Sequence, residues 1–187
     1  MDNNAKLRPL YLAKILYERT DEDHYLTTMQ LAQILEEEYG IPAHRQTIKT
    51  DIELLQQFGM DIQEVKSTQN RYNLISRQFE IAELKLLIDA VQSSKFITHK
   101  KTGTLIHKLE SLASVHEAKQ LNRQVFVMNR IKSMNESIYY NVDAIHNGIA
   151  QQRQIQFHYF EYNLKKEPVF RKQGAWYQVS PYALTWD

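Results

Sequence analysis

The sequence predicts a mostly α-helical chain with small β elements, arranged in three parts: residues 1–75, 76–134 and 135–187. Apolar residues recur at helical spacing over much of the chain up to about Gln151. A pair of short apolar runs around a polar tip interrupts that pattern between Met60 and Leu74, and after Gln154 the period switches to strict alternation. At 187 residues the chain is long enough for one good core or two small domains.

The first part opens with a helix in which Leu10, Leu12, Ala13, Leu16 and Tyr17 keep helical spacing behind Pro9, a residue suited to a first turn. The acidic loop Asp21-Glu22-Asp23-His24 follows. Thr27-Thr28-Met29-Gln30 then forms a capping-box pattern ahead of Leu31, Ile34 and Leu35, and this second helix should end at Tyr39-Gly40, where glycine takes the left-handed cap. After Ile41-Pro42 a third helix runs from near His44 to Phe58-Gly59 with Ile48, Ile52 and Leu55 on one stripe. Ile62 and Val65, the tip Ser67-Thr68-Gln69-Asn70 and then Tyr72-Asn73-Leu74 read as a short hairpin.

The middle part is amphipathic. Ile81, Leu84, Ile88 and Val91 keep a three-four spacing, and Leu105, Leu109 and Leu112 resume it after a break at Lys100 to Gly103. This predicts a helical hairpin joined by a short basic loop. Val125-Phe126-Val127-Met128 alternates, as a strand or a connector. In the last part a helix around Ser137 to Gln151 precedes a strand in which Ile155, Phe157 and Tyr159 alternate with polar residues, and a second strand is expected at Trp176 to Val179. Two such strands fall short of a stable sheet, so this domain reads as incomplete.

Helix, helix, turn, helix and hairpin within some 70 residues is the order of a winged helix-turn-helix, which presents its last helix to the major groove of duplex DNA. With Ile48 at the centre of the buried stripe and 100° per residue, Gln46, Thr50, Glu53 and Gln57 face outward. The first two turns carry Arg45, Gln46, Thr47, Lys49 and Thr50, side chains that suit guanine, adenine or phosphate. Lys66 and Arg71 flank the wing tip, where they can reach phosphates. Charge runs against this reading overall, since eight bases and twelve acids leave residues 1–75 at −4 and the remainder at +5. Any DNA surface must therefore be local. The same acidic balance supports the competing expectation, a protein-interaction module whose winged helix docks a partner protein.

Thr47-Ile48-Lys49-Thr50-Asp51-Ile52, with Leu55 and Phe58-Gly59, resembles the recognition helix of DeoR-type regulators that carry a WYL domain. Phe79, Glu83-Leu84, Leu87, Ser93-Ser94 and Leu105 to Leu109 resemble the helical region that follows in that family. Ile155 to Tyr159 and Tyr177 to Leu184 resemble the opening strands of the WYL domain, an Sm-like or SH3-like β-barrel. The resemblance implies a transcriptional regulator that binds double-stranded DNA and responds to an effector, a nucleotide or oligonucleotide. A homodimer is expected because the apolar stripes from Phe79 to Lys119 are longer than one hairpin can cover and a single winged helix rarely supplies enough phosphate contacts. Thr50 stands where the family commonly has arginine, and the Trp-Tyr-Leu type motif would lie beyond Asp187, which implies a chain truncated within the barrel and leaves its ligand-binding residues unknown.

Catalysis is not expected. There is no cysteine, no Gly-rich phosphate loop, no nucleophile elbow, and no histidine pair at i, i+4 with a glutamate, so neither a metal nor a cofactor is expected. Glu36-Glu37-Glu38 reads as a solvated helix face. Among Phe157, Tyr159, Phe160, Tyr162, Trp176, Tyr177 and Tyr182, near Lys165, Lys166, Arg171 and Lys172, core packing is the simpler role for the alternating Phe157 and Tyr159, and base stacking is the other. No run of about 18 apolar residues and no signal-peptide pattern occur, so a cytoplasmic protein that neither crosses nor binds a membrane is expected.

Overall fold

A computed structural model of the chain describes residues 3–66, 68–122, 137–165 and 167–185. They build a mixed fold, rich in helix, with small antiparallel sheets. Two compact units can be distinguished: residues 3–95 with 99–122, and residues 96–98 with 137–185.

In the first unit three helices pack on a small sheet. The first, α1 (Asn3–Arg19), starts earlier than Pro9 suggests: that proline lies inside the helix, where it removes one donor from the ladder and crowds the carbonyl four residues before it. Leu12, Ile15 and Leu16 are fully buried, but Leu10 is 64% exposed and does not belong to the core stripe. Helix α2 (Thr28–Tyr39) begins as its residues dictate: the Gln30 N–H donates to Thr27 Oγ1 (3.2 Å), and the Thr27 N–H donates to Gln30 Oε1 (2.8 Å). It ends at Gly40, whose φ of 65° closes a left-handed cap in which the Ile41 N–H reaches back to the Leu35 carbonyl (2.9 Å). Helix α3 (Arg45–Phe58) then buries Ile48, Ile52 and Leu55 against Leu12, Leu16, Leu31 and Leu35.

The expected hairpin is β2 (Ile62–Val65) with β3 (Arg71–Leu74), paired from Ile62 opposite Leu74 to Val65 opposite Arg71. A third strand, β1 (Leu26–Thr27), pairs with the outer side of β3 and makes the order β1-β3-β2. Two residues leave no period to read, so the sequence did not announce it.

The helical hairpin expected next is instead three helices: α4 (Ile81–Ser93), α5 (His99–Glu110) and α6 (Val115–Asn122). The basic residues Lys100 and Lys101 are helical, and the first break falls before them, after Ser93. One glycine at 103 costs a helix only about 1 kcal/mol, whereas serines offer the backbone other partners; the Ser93 hydroxyl donates to the Ala90 carbonyl. A second break places Ser114 ahead of α6, where its oxygen accepts the N–H groups of His116 and Glu117. Leu84, Ile88, Ala113 and Leu121 form the small core of this region.

A polar joint ties α6 to the end of α1. Asp21 accepts hydrogen bonds from the Ser114 hydroxyl (2.5 Å) and from the N–H groups of Asp23 and His24, and its Oδ1 lies 2.7 Å from His24 Nδ1. Arg77 donates to the carbonyls of Tyr17 (2.6 Å) and Thr20 (2.5 Å) and pairs with Glu117 (3.5 Å). Burial, the largest single influence on Asp21, pushes its pKa up; the bonds from Ser114, His24 and Asp23 outweigh it and leave the carboxyl below its ordinary value. A carboxyl depressed by folding stabilises the fold above about pH 4 and loses that contribution as pH falls through the depressed value. Urea denaturation between pH 2.5 and 6 should therefore show wild-type stability falling more steeply with acid than that of Asp21→Asn; parallel slopes would contradict this.

In the second unit, α7 (Ile138–Ala150) lies close to β4 (Ile155–Phe157) because Gly148 carries no side chain; a Cβ there would stand 2.8 Å from Ile155 Cγ2. Strand β4 pairs with β7 (Tyr177–Val179), and a separate hairpin joins β5 (Phe160–Tyr162) to β6 (Pro168–Phe170). The strand expected through Tyr159 thus stops at Phe157, Trp176 precedes β7, and the β5–β6 hairpin was not foreseen. Two two-stranded sheets stand among the described residues, and no barrel. The alternating run Val125 to Met128, and Lys166, lie outside the described residues. No described helix is long and apolar enough to cross a membrane.

Candidate nucleic-acid interface

The turn between α2 and α3 is set by the Gly40 cap, the buried Ile41 and Pro42, and it delivers the first turn of α3 to the surface. There His44 is extended and makes no side-chain cap, so the first N–H groups of α3 keep their donors free of one. Arg45 and Gln46 are exposed on this turn, with Lys49 and Thr47 half-buried and Thr50 exposed one turn on.

Arg45, Gln46 and Lys49 line one side of a cleft. The other sides come from Thr28 and Met29 at the start of α2 and from the hairpin: Thr68, Gln69, Asn70 and Tyr72. The hairpin tip is held in place, since the Thr28 N–H donates to the Asn70 carbonyl (3.2 Å) and Asn70 Nδ2 donates to Glu64 Oε1 (2.7 Å). Tyr72 is buried below them, with its hydroxyl 3.3 Å from Glu64. Its burial first, with the Glu64 charge adding and a bond with Asn70 opposing, raises the phenol pKa and keeps it a neutral donor.

The remaining expected residues stand elsewhere. Thr47, Thr50, Lys66 and Arg71 are not part of the cleft lining. The Thr50 hydroxyl donates to the Gln46 carbonyl (3.1 Å), so its proton is engaged within the helix. Arg71 is exposed and lies over the Tyr25 ring at 4.3 Å, a contact that stiffens its stem without neutralising it. Lys66 is exposed at the end of β2, beside the tip. Lys49 faces Glu53 at 3.9 Å, an exposed i, i+4 pair that water and salt screen strongly. Sequence reading missed Thr28 and Met29, whose part in the cleft depends on β1 and the α2 start lying beside the tip.

Most of the acids that make this region negative are placed away from the cleft or already paired; the exceptions beside it are Glu64, which accepts from Asn70 and Tyr72, and Glu53, 3.9 Å from Lys49. Asp51 is bound by Arg8, Glu38 by Arg19 (2.6 Å) and Asp21 by the polar joint. Glu36, Glu37 and Glu38 end α2, about 12 Å along the helix from Thr28 at 1.5 Å per residue. The charged side chains of the cleft lining itself are Arg45 and Lys49, although the first 75 residues carry net negative charge. Among the described residues no cluster of three or more His, Asp or Glu side chains is arranged to hold a metal ion. Comparisons with protein-family models, curated proteins and solved structures find no match to this chain.

Proposed function

We propose that the chain is a sequence-specific, double-stranded DNA-binding transcriptional regulator in which α1, α2, α3 and the β2–β3 hairpin act as a winged helix-turn-helix. The observation that carries this is the convergence of Arg45, Gln46 and Lys49, at the start of α3, with the tethered hairpin tip in one cleft, while Asp51 of the same helix is paired with Arg8. In this reading Arg45 and Gln46 meet base edges, and Lys49, Lys66 and Arg71 meet phosphates. The protein works as a cytoplasmic homodimer, because one winged helix rarely supplies enough contacts. Residues 135–187 belong to a WYL-type domain that takes a nucleotide or oligonucleotide effector, as the sequence resemblance implies.

A binding titration on duplexes enriched from a random pool tests it. Log affinity should fall linearly with log salt, with a slope of about −0.9 per phosphate contacted, and two chains should bind each enriched duplex. Lys49→Ala should weaken all duplexes alike and lower the slope by about one unit per subunit. Absence of enrichment together with a flat salt response would contradict the proposal. A second reading, docking of a partner protein, draws on Leu54 and Phe58, which stand 54% and 84% exposed on α3. An apolar interface of that kind is insensitive to salt.

A further inference from the structure

Asp51 stands on the buried side of α3, only 8% exposed, between Ile48, Ile52 and Leu55. Its partner comes from another helix: Arg8 Nε of α1 donates to Oδ2 (2.5 Å) and an Arg8 terminal nitrogen donates to Oδ1 (3.3 Å). Both carboxylate oxygens and two nitrogens along one edge of the guanidinium are engaged, which is the two-pronged geometry that fixes the relative orientation of two groups.

We propose that Arg8 and Asp51 are a positioning pair that sets the rotation and height of α3 against α1, and thereby determines which bases the helix can read. This rests on the DNA-binding reading above. The apolar stripe of α3 supplies cohesion but little direction, because hydrophobic contact is non-directional. If α3 turned by about 20°, a side-chain atom about 6 Å from the helix axis would move by about 2 Å. Hydrogen bonds to base edges fail over that distance, since donor and acceptor must stay within a few tenths of an ångström of about 2.9 Å. Phosphate contacts from the long stems of Lys49 and Lys66 tolerate it. The pair is therefore a device for discrimination, while affinity for DNA in general does not depend on it.

A buried ion pair is a poor stabiliser, because desolvating two charges cancels most of their attraction; replacing both by apolar groups is often neutral or stabilising. Positioning and stability can thus be separated in the full chain. The double variant Arg8→Met with Asp51→Leu leaves the net charge unchanged. It should melt at the wild-type temperature or above and bind scrambled duplex with the wild-type salt slope. Its preference for the enriched duplex over the scrambled one should fall by about tenfold or more. Arg8→Lys keeps the charge but not the fork, and should lose part of that preference even if the double variant folds poorly. Folded variants that discriminate within twofold of a discriminating wild type would overturn the positioning role and leave the DNA reading standing. A wild type that prefers no duplex would overturn both.

Discussion

Ile52→Ala is expected to destabilise the first unit by about 2–5 kcal/mol, the largest effect of any single change considered for this chain. Ile52 is 2% exposed and sits between α3 and the helices it packs on, among Leu12, Leu16, Leu31 and Leu35. Removing its outer carbons costs both their transfer from water and the unfilled space left behind, and so rigid a set of helix contacts collapses poorly around it. Total stability of a domain this size is on the order of 5–15 kcal/mol, so the change takes a large fraction of it. DNA binding should vanish only as far as the variant unfolds, and should return on cooling from its melting point in proportion to the folded fraction. Denaturant melts read the loss directly; a cost below about 1 kcal/mol would mean that the α3 stripe is not the core it is described as.

Arg45→Ala and Gln46→Ala are expected to do the reverse, leaving the melts unchanged and costing about 1–3 kcal/mol on the enriched duplex. Both side chains are exposed on the first turn of α3 and contribute nothing to its buried face. Each should relax the preference at one base pair and leave the others intact, because a base-edge contact reads one position. A panel of duplexes with single base-pair changes resolves this.

Much of the first unit was legible because its signals are local. The Thr27–Gln30 box, the Gly40 and Gly59 caps and the Ile48–Ile52–Leu55 stripe lie within a few residues of the structure they specify, and each appears where its chemistry requires. What escaped was decided at a distance. Nothing near Asp51 in the sequence names its partner, because Arg8, which pairs with it, is 43 residues away. The two residues of β1 pair with β3 only because α1 and α2 bring them there. Pro9 marked a helix start on statistics, yet α1 begins at Asn3 with the proline inside it. In the middle part, glycine 103 was given more weight as a breaker than Ser93 and Ser114, whose hydroxyls compete for the backbone at helix ends. The cleft was half visible: the α3 side followed from 100° per residue, and the α2 and hairpin sides needed the tertiary fold.

The most direct measurement is a titration of wild type, Arg45→Ala, Gln46→Ala and Lys49→Ala on enriched and scrambled duplexes at several salt concentrations, with thermal melts alongside. If the start of α3 reads DNA, the first two variants lose affinity on the enriched duplex alone, and Lys49→Ala loses it on both with a shallower salt slope. Wild-type affinity and slope in all three variants, each fully folded, would show that this helix does not face DNA.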